Sequence, residues 1–362
     1  MKHLVHHTLQ TTSRRLISIQ SRCQGQQRLQ LPVSVAPMVD ISTPHFLELL
    51  HLISGARYAY YTEMHFSRAI LEHRHRLHSL IGPPRSNVVV QLGGSDPKEM
   101  ARAATILEEQ GYSEININVG CPSKAVQHGQ FGAVLMKTPK VVAEIVQSMQ
   151  QAVSIPVTVK CRLGVDHLDS FDFLYNFVDT IHKSNTMPHL IVHARKCILR
   201  GLSPKQNRSI PPLDYDRVFQ LADTFPDIPI SINGGFTEAD KVKQVLNRLD
   251  GCMIGRKVMD HPLFLQELDQ VIYDIPSHEL KPIGTIIDDY IAYVEQLPSH
   301  PVHTSKAARL PPMTILTKPV ASLFYGYQGR AFRRHLAQEL RNPQQGISKI
   351  IYNALNRAEI TV

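Results

Sequence analysis

Asn87-Val88-Val89-Val90-Gln91-Leu92-Gly93-Gly94-Ser95-Asp96-Pro97 opens one beat of a repeating pattern, and the pattern decides the fold. Three valines and then a polar Gln read as a parallel strand, buried on both faces, whose C-terminal end has left the core. Ser95-Asp96-Pro97 then puts a capping side chain ahead of Pro at the first helical position. An amphipathic helix over Pro97–Gln110 follows, and Glu114–Asn118 starts the next strand. Working outward, further β-type runs fall at Ser34–Met38, Tyr58–Met64, Pro156–Arg162, His189–Arg195, Ile228–Asn233 and Gly251–Arg256. Helical patterns at Pro139–Gln151 (opened by Thr138-Pro139), Ser170–Lys183, Asp214–Asp223 and Glu238–Arg248 separate the later ones. Eight strand–helix units over roughly 235 residues predict an α/β chain folded as a (β/α)8 TIM barrel. No GxGxxG follows the first strand, which argues against a doubly wound sheet.

The polar exceptions share one phase of the unit. Met38, Glu63, Gln91, Asn118, Lys160, Arg162, His193, Arg195, Asn233 and Arg256 all lie at C-terminal strand ends. In a barrel those ends form the face that carries active sites. Any one of them alone reads as a solvated loop side chain; ten at the same phase read as a site.

After about Pro276 the beat stops. Helical patterns at Ile283–Gln296, Ile315–Tyr325, Ala331–Arg341 and Ile347–Arg357, with a Pro-, Ser- and His-rich loop over 297–312, predict a small C-terminal all-helical domain. The expected division is a basic leader at 1–32, a barrel at 33–275 and helices at 276–362.

The chain has 362 residues, 43% hydrophobic and 19% charged, enough for a large core, and no run of apolar residues long enough to span a membrane. Its five cysteines, Cys23, Cys121, Cys161, Cys197 and Cys252, are scattered and odd in number, which argues against a zinc site or a disulfide framework. The net charge of +8 is unevenly placed. Residues 1–39 hold Lys2, Arg14, Arg15, Arg22 and Arg28 and no acid, the composition of an organelle transit peptide. That predicts a mitochondrial or plastid protein, with a disordered tail on a cytoplasmic protein as the alternative. Between Pro301 and Ala358 nine Lys/Arg face one acid, Glu339, a balance that suits a phosphate-bearing partner.

Cys121 lies in Asn116-Ile117-Asn118-Val119-Gly120-Cys121-Pro122-Ser123, on a turn shaped by Gly before and Pro after. An ordinary thiol is mostly protonated at neutral pH, so it serves as an acid as well as a nucleophile. A lone Cys is more often structural, but Asn116, Asn118 and Ser123 beside it favour chemistry. Asn233-Gly234-Gly235 and Gly255-Arg256 follow the seventh and eighth strands, where barrels cradle phosphate. Ordinary turns are the bland alternative. Lys160 would form a Schiff base or set a positive charge beside an anionic ring, while Gln91 and His193 offer donors and acceptors to a heterocycle. Together these groups suit flavin mononucleotide.

The chain resembles the tRNA-dihydrouridine synthases. The resemblance is carried by Val35-Ala36-Pro37-Met38, Tyr61-Thr62-Glu63-Met64, Gln91-Leu92-Gly93-Gly94-Ser95, Asn116–Ser123, Thr158–Arg162, His193-Ala194-Arg195-Lys196, Asn233-Gly234-Gly235 and Gly255-Arg256. Gly201–Arg208, Ile210–Tyr215 and Phe324–Leu336 point to the A-type branch, known mainly from bacteria, and the match covers roughly residues 33–350. It implies tightly bound FMN, reduced by NADPH or NADH and contacted by Pro37, Met38, Gln91, Lys160, His193, Asn233, Gly234, Gly235, Gly255 and Arg256. It implies Cys121 as general acid in reducing a D-loop uridine of the 20/20a type. Asn118 would help place the base. A monomer would hold the tRNA elbow through Lys205, Arg208, Arg330, Arg333 and Arg334, with no metal and no membrane. The leader and the 297–312 stretch depart from the compact bacterial pattern. Three rivals remain open from the residues alone: a Schiff-base aldolase using Lys160, a non-catalytic RNA-binding module, and a flavin dehydrogenase of free pyrimidines.

Overall fold

A computed structural model describes residues 31–299, 310–342 and 345–362. The leader up to residue 30, and with it the transit-peptide expectation, lies outside the described residues, as does the centre of the 297–312 stretch.

Eight parallel strands close in chain order into a barrel: β1 (Val33–Val35), β2 (Ala59–Phe66), β3 (Val88–Gly93), β4 (Ile115–Asn118), β5 (Val157–Arg162), β6 (Leu190–His193), β7 (Ile230–Asn233) and β8 (Gly251–Ile254). β1 pairs with both β2 and β8, which seals the ring. Successive strand residues point to opposite faces, and the two faces differ in chemistry. Outward positions such as Val88, Val90, Leu92, Ile115 and Ile117 belong to the large core shared with the helices. A separate cluster of Ala36, Ala59, Tyr61, Val89, Ile191 and Met253 fills the barrel interior. Gln91, Asn116, Thr158, Lys160, His193 and Asn233 share that inward parity, as the register pairs Gln91–Asn116, Asn116–Thr158 and His193–Asn233 require.

Local chemistry sets most element ends. Helix Pro97–Glu109 starts where expected, with Asp96 Oδ1 accepting from Glu99 N at 2.8 Å. Helix Pro139–Ala152 also starts on schedule, but Thr138 makes no cap bond; its hydroxyl donates to Leu135 O at 3.4 Å. β1 stops at Val35, since Pro37 has no N–H to continue the ladder. β2 runs on to Phe66 through an irregularity between Tyr61 and Met64, where Thr62 Oγ1 accepts from Gln91 N at 3.1 Å. The helix expected over Ile315–Tyr325 is instead a turn at Met313–Thr317 and a second at Val320–Ser322, because Pro319 removes a donor between them. The next helix starts earlier than Ala331, at Gly326, and runs to Glu339.

Helix Phe264–Tyr273 packs against helices Ala239–Leu246 and Pro44–Ser54. Its Asp269, fully buried, accepts from Ser54 Oγ at 2.7 Å, Tyr58 OH at 2.7 Å and Arg57 Nε and Nη2 at 2.8 and 2.9 Å. Helix Ile283–Gln296 rests on helix Pro44–Ser54, with Tyr293 OH hydrogen-bonded to His45 Nδ1 at 2.8 Å. Helices Gly326–Glu339 and Ile347–Arg357 pair through a buried Phe332 and the Arg357–Glu339 ion pair at 3.1 Å. No helix among the described residues is long and apolar enough to cross a membrane.

Candidate active site

The turn after β4 is fixed from several directions. Asn118 Oδ1 accepts from Gly120 N at 3.1 Å and Cys121 N at 2.9 Å. Arg162 Nε donates to Gly120 O at 2.9 Å, and Ala133 N to Cys121 O at 3.0 Å. Gly132 permits that last approach: at φ +67° it avoids strain, and a Cβ there would come within 2.7 Å of Cys121 O. The Cys121 side chain is left half-buried, the one described cysteine that solvent reaches. Cys161 and Cys197 are buried, and burial pushes their thiols up to about 12 and about 11.

A line of amides crosses the barrel beneath this turn. Asn118 Nδ2 donates to Gln91 Oε1 at 2.7 Å, and Gln91 Nε2 to Asn116 Oδ1 at 2.7 Å. Asn116 Nδ2 continues to Thr158 Oγ1 at 3.0 Å, whose hydroxyl donates to Glu114 Oε1 at 3.0 Å. Gln91 and Asn118 are therefore largely engaged with one another, and each keeps a single amide hydrogen for a ligand. From sequence, both side chains looked freer than this.

Cations dominate the rest of the mouth. Lys160 Nζ donates to Asn233 Oδ1 at 3.0 Å, and Asn233 Nδ2 to Met253 O at 2.8 Å. Burial, reinforced by Arg162, lowers the Lys160 ammonium to about 7. His193 is driven well below the usual histidine range, first by burial and then by Arg162, Lys160, Arg195 and Arg256, so it is neutral at physiological pH. Arg195 donates to Ser209 O and Pro211 O, yet its buried Nε has no partner. Arg256 Nη2 donates to Arg208 O at 2.7 Å and brings the β6 and β8 loops together. Lys160, Arg162, Arg195 and Arg256 thus gather positive charge at this end of the barrel, a setting that suits an anion.

The glycines line the same rim. Gly234 and Gly235 adopt φ +120° and +80°; a Cβ on the first would lie 2.8 Å from the His193 ring and on the second 2.5 Å from Leu213. Tyr215 OH holds Gly234 O at 2.6 Å. Gly255, by contrast, is uncrowded, its nearest neighbours being Ala36 and the sulfur of Met38. That approach sets Pro37-Met38 beside the end of β8. Lys205 and Arg208 stand exposed on the loop after β6.

Comparison with known proteins bears on this geometry. Residues 34–358 match the family model described as dihydrouridine synthase (Dus). The chain is 40% identical over 340 residues to the tRNA-dihydrouridine(20/20a) synthase of Shewanella oneidensis, covering 93% of this chain and 98% of that one. It is 41% identical over 318 residues to that of Haemophilus ducreyi (88% and 94%), and 39% over 331 residues to that of Vibrio cholerae (89% and 98%). This chain belongs to the dihydrouridine synthase family.

The Phe324–Leu336 stretch that carried the A-type resemblance lies on helix Gly326–Glu339 and its approach. Arg330 and Arg334 are exposed there. Arg333 is exposed too, but its Nη1 donates to Ala321 O at 3.2 Å and Phe324 O at 3.1 Å, so part of its purpose is to close the preceding turn. Of four side chains that shape this mouth, Arg162 was marked from sequence only by its place at a strand end, and Asn207, Thr158 and Tyr215 received no individual role. Arg162, besides bracing Gly120, donates to Lys196 O at 3.2 Å and Asn207 O at 3.0 Å. Buried Asn207 in turn holds the β6 loop through Ile198 N at 2.7 Å. Thr158 and Tyr215 complete the set. Their signal was parity and spacing: Thr158, Lys160 and Arg162 alternate along one strand and point the same way.

Proposed function

We propose that this chain reduces a D-loop uridine of tRNA, of the 20/20a type, to 5,6-dihydrouridine, with tightly bound FMN and with NADPH or NADH as reductant. The observation that carries the reading is the Cys121 turn, a half-exposed thiol locked beside the Gln91–Asn118 pair at the mouth of an electropositive barrel. The residues present fit FMN. Arg195 Nε lacks a partner, Lys160 is depressed by burial and by Arg162, and the Gly234-Gly235 backbone with Arg256 offers donors at a rim suited to phosphate. When bound, FMN supplies the hydride that reaches C6 of the uracil ring.

The protein's own share is position and protons. Lys160, Gln91 and the Gly234-Gly235 turn hold the cofactor, and Lys160 offsets negative charge on it. Cys121 gives its proton to C5, completing addition of H− and H+ across the double bond, and its half-exposed thiolate regains a proton from water. A stacked uridine cannot reach a barrel mouth, so the base is extruded. The division into a barrel at 33–275 and a tRNA-holding helical part at 276–362 belongs to the same proposal, with a monomer as the acting unit.

The experiment is dihydrouridine mapping in tRNA incubated with purified protein, NADPH and FMN, beside a parallel reaction on free uracil. Dihydrouridine in the D loop supports the reading. A colourless protein after reconstitution, or reduction of free uracil alone, refutes it.

A further inference from the structure

Three aromatic side chains are strongly exposed among the described residues: Phe66, Tyr325 and Tyr327. Phe66 packs edge-on against Phe131, with ring centroids 5.3 Å apart. The tyrosines differ. They flank Gly326 at the start of helix Gly326–Glu339 and are 69% and 79% exposed, while Phe332 of the same helix is fully buried. The helix thus meets its own core through Phe332 and leaves the tyrosines to solvent.

Charge surrounds them asymmetrically. Tyr327, Arg330 and Arg334 are spaced i, i+3 and i+7, which puts one ring and two guanidinium groups in a single stripe. All three are exposed. From residue 310 to 358 the chain has one carboxylate, Glu339, which is buried and ion-paired with Arg357. No acid of this segment competes for the arginines. Tyr325 is steadied from the barrel side, where the His261 ring meets it at 4.7 Å and 73°, and His261 is itself 3.4 Å from Glu267. Flat rings beside cations, open on one face, match what single-stranded nucleic acid needs: stacking for a base and counter-charge for its phosphates.

We infer that Tyr325 and Tyr327 form a stacking platform for an unpaired base of the bound tRNA, outside the uridine pocket, with Arg330 and Arg334 on the flanking phosphates. The inference rests on the tRNA reading above and adds an interaction of different physics. Stacking releases no counterions, whereas phosphate pairing does. Tyr325→Ala and Tyr327→Ala should therefore each weaken tRNA binding roughly 5- to 150-fold and leave the slope of affinity against salt unchanged. The chain contains no tryptophan, so Tyr327→Trp creates a single reporter at a site too exposed to disturb folding.

The test titrates full-length, flavin-loaded Tyr327→Trp protein with tRNA and with a blunt, fully paired RNA duplex, alongside salt titrations of both Ala variants. The expected result is quenched emission with tRNA and none with the duplex, with parallel salt slopes for wild type and Ala variants. Equal quenching by duplex overturns the unpaired-base assignment. Unaltered emission while tRNA binds, unchanged Ala-variant affinity, or a flattened slope in the Ala variants overturns the platform. Wild-type protein that binds no tRNA overturns both this inference and the reading beneath it, and is recognised by failure before any variant is made.

Discussion

Loading the flavin-free protein with FMN should draw a proton out of solution at Lys160. Burial and Arg162 hold this ammonium near 7, against 10.5 for an ordinary lysine. At pH 8 a group titrating near 7 is about nine-tenths neutral, so a ligand that supplies negative charge and restores the ordinary range recruits about 0.9 proton. At pH 6 the same group is already about nine-tenths charged, and uptake falls to about 0.1 proton. The FMN phosphate contributes little at pH 8, since a phosphomonoester loses its second proton near 6. Isothermal titration calorimetry in buffers of different ionisation enthalpy measures the uptake directly, and Lys160→Met should abolish it. No net uptake at pH 8, or the same uptake in Lys160→Met, would show that Lys160 is not the group facing the cofactor. The same shift bears on stability. The folded value lies below the unfolded one, so the unfolded chain binds the extra proton between about pH 7 and 10.5, and flavin-free protein should gain stability as pH rises through that window.

Three further outcomes follow from other parts of the molecule. Cys121→Ala should keep flavin and tRNA binding but slow dihydrouridine formation by about 10²–10⁴-fold, the usual worth of a general acid; wild-type rates in a single-turnover assay would make the thiol structural. Asp269→Ala strips the acceptor from Ser54, Arg57 and Tyr58 in the network around it, and should cost about 3 kcal/mol in urea unfolding, the low end for a broken buried pair. The low end applies because Arg57 stays 39% exposed and rehydrates; a shift under a third of that would mean the network is solvated. Arg330→Ala with Arg334→Ala should weaken tRNA binding and flatten its salt dependence, by about one unit of slope for each phosphate left without its arginine, with the flavin spectrum as the control for folding.

Much of this architecture was legible because parallel strands and their polar ends follow strict rules. Val88-Val89-Val90-Gln91 announced a buried strand with a polar end in four residues, and each of the eight expected runs overlaps a strand, although β1, β6 and β8 stop at Val35, His193 and Ile254, short of Met38, Arg195 and Arg256. What escaped the sequence was relational. Pro319 splits the helix expected over Ile315–Tyr325, a local effect that apolar spacing conceals. Thr138 has the right identity for a cap and the wrong backbone, at φ −132° and ψ 65°. Arg162 reads as one more cation at a strand end, and its bonds to three separate carbonyls exist only once β4, β5 and the β6 loop are brought together.

The inward parity of the strands carries the deeper lesson. The interior is divided mainly by chemistry: Ala36, Ala59, Tyr61, Val89 and Met253 make the β8–β1–β2–β3 side largely apolar, with Ser34 the exception, while Asn116, Thr158, Lys160, His193, Ser231 and Asn233 make the opposite side largely polar around Ile191. Gln91 stands at the seam, on β3, and joins the polar side through Asn116 and Asn118. A one-residue slip of β5 against β4 would send Thr158, Lys160 and Arg162 outward into an apolar helix layer and bring Val159 and Cys161 inside. Three polar groups would then be buried without their partners, each at a cost of about 1–3 kcal/mol or more for the charged ones. The polar strand residues proposed to hold the cofactor, and Arg162, which braces the Cys121 turn, therefore also fix the register of the strands that carry them. Fold and candidate site are specified by the same side chains, which is why a strand-by-strand reading that reached the fold also pointed to the site.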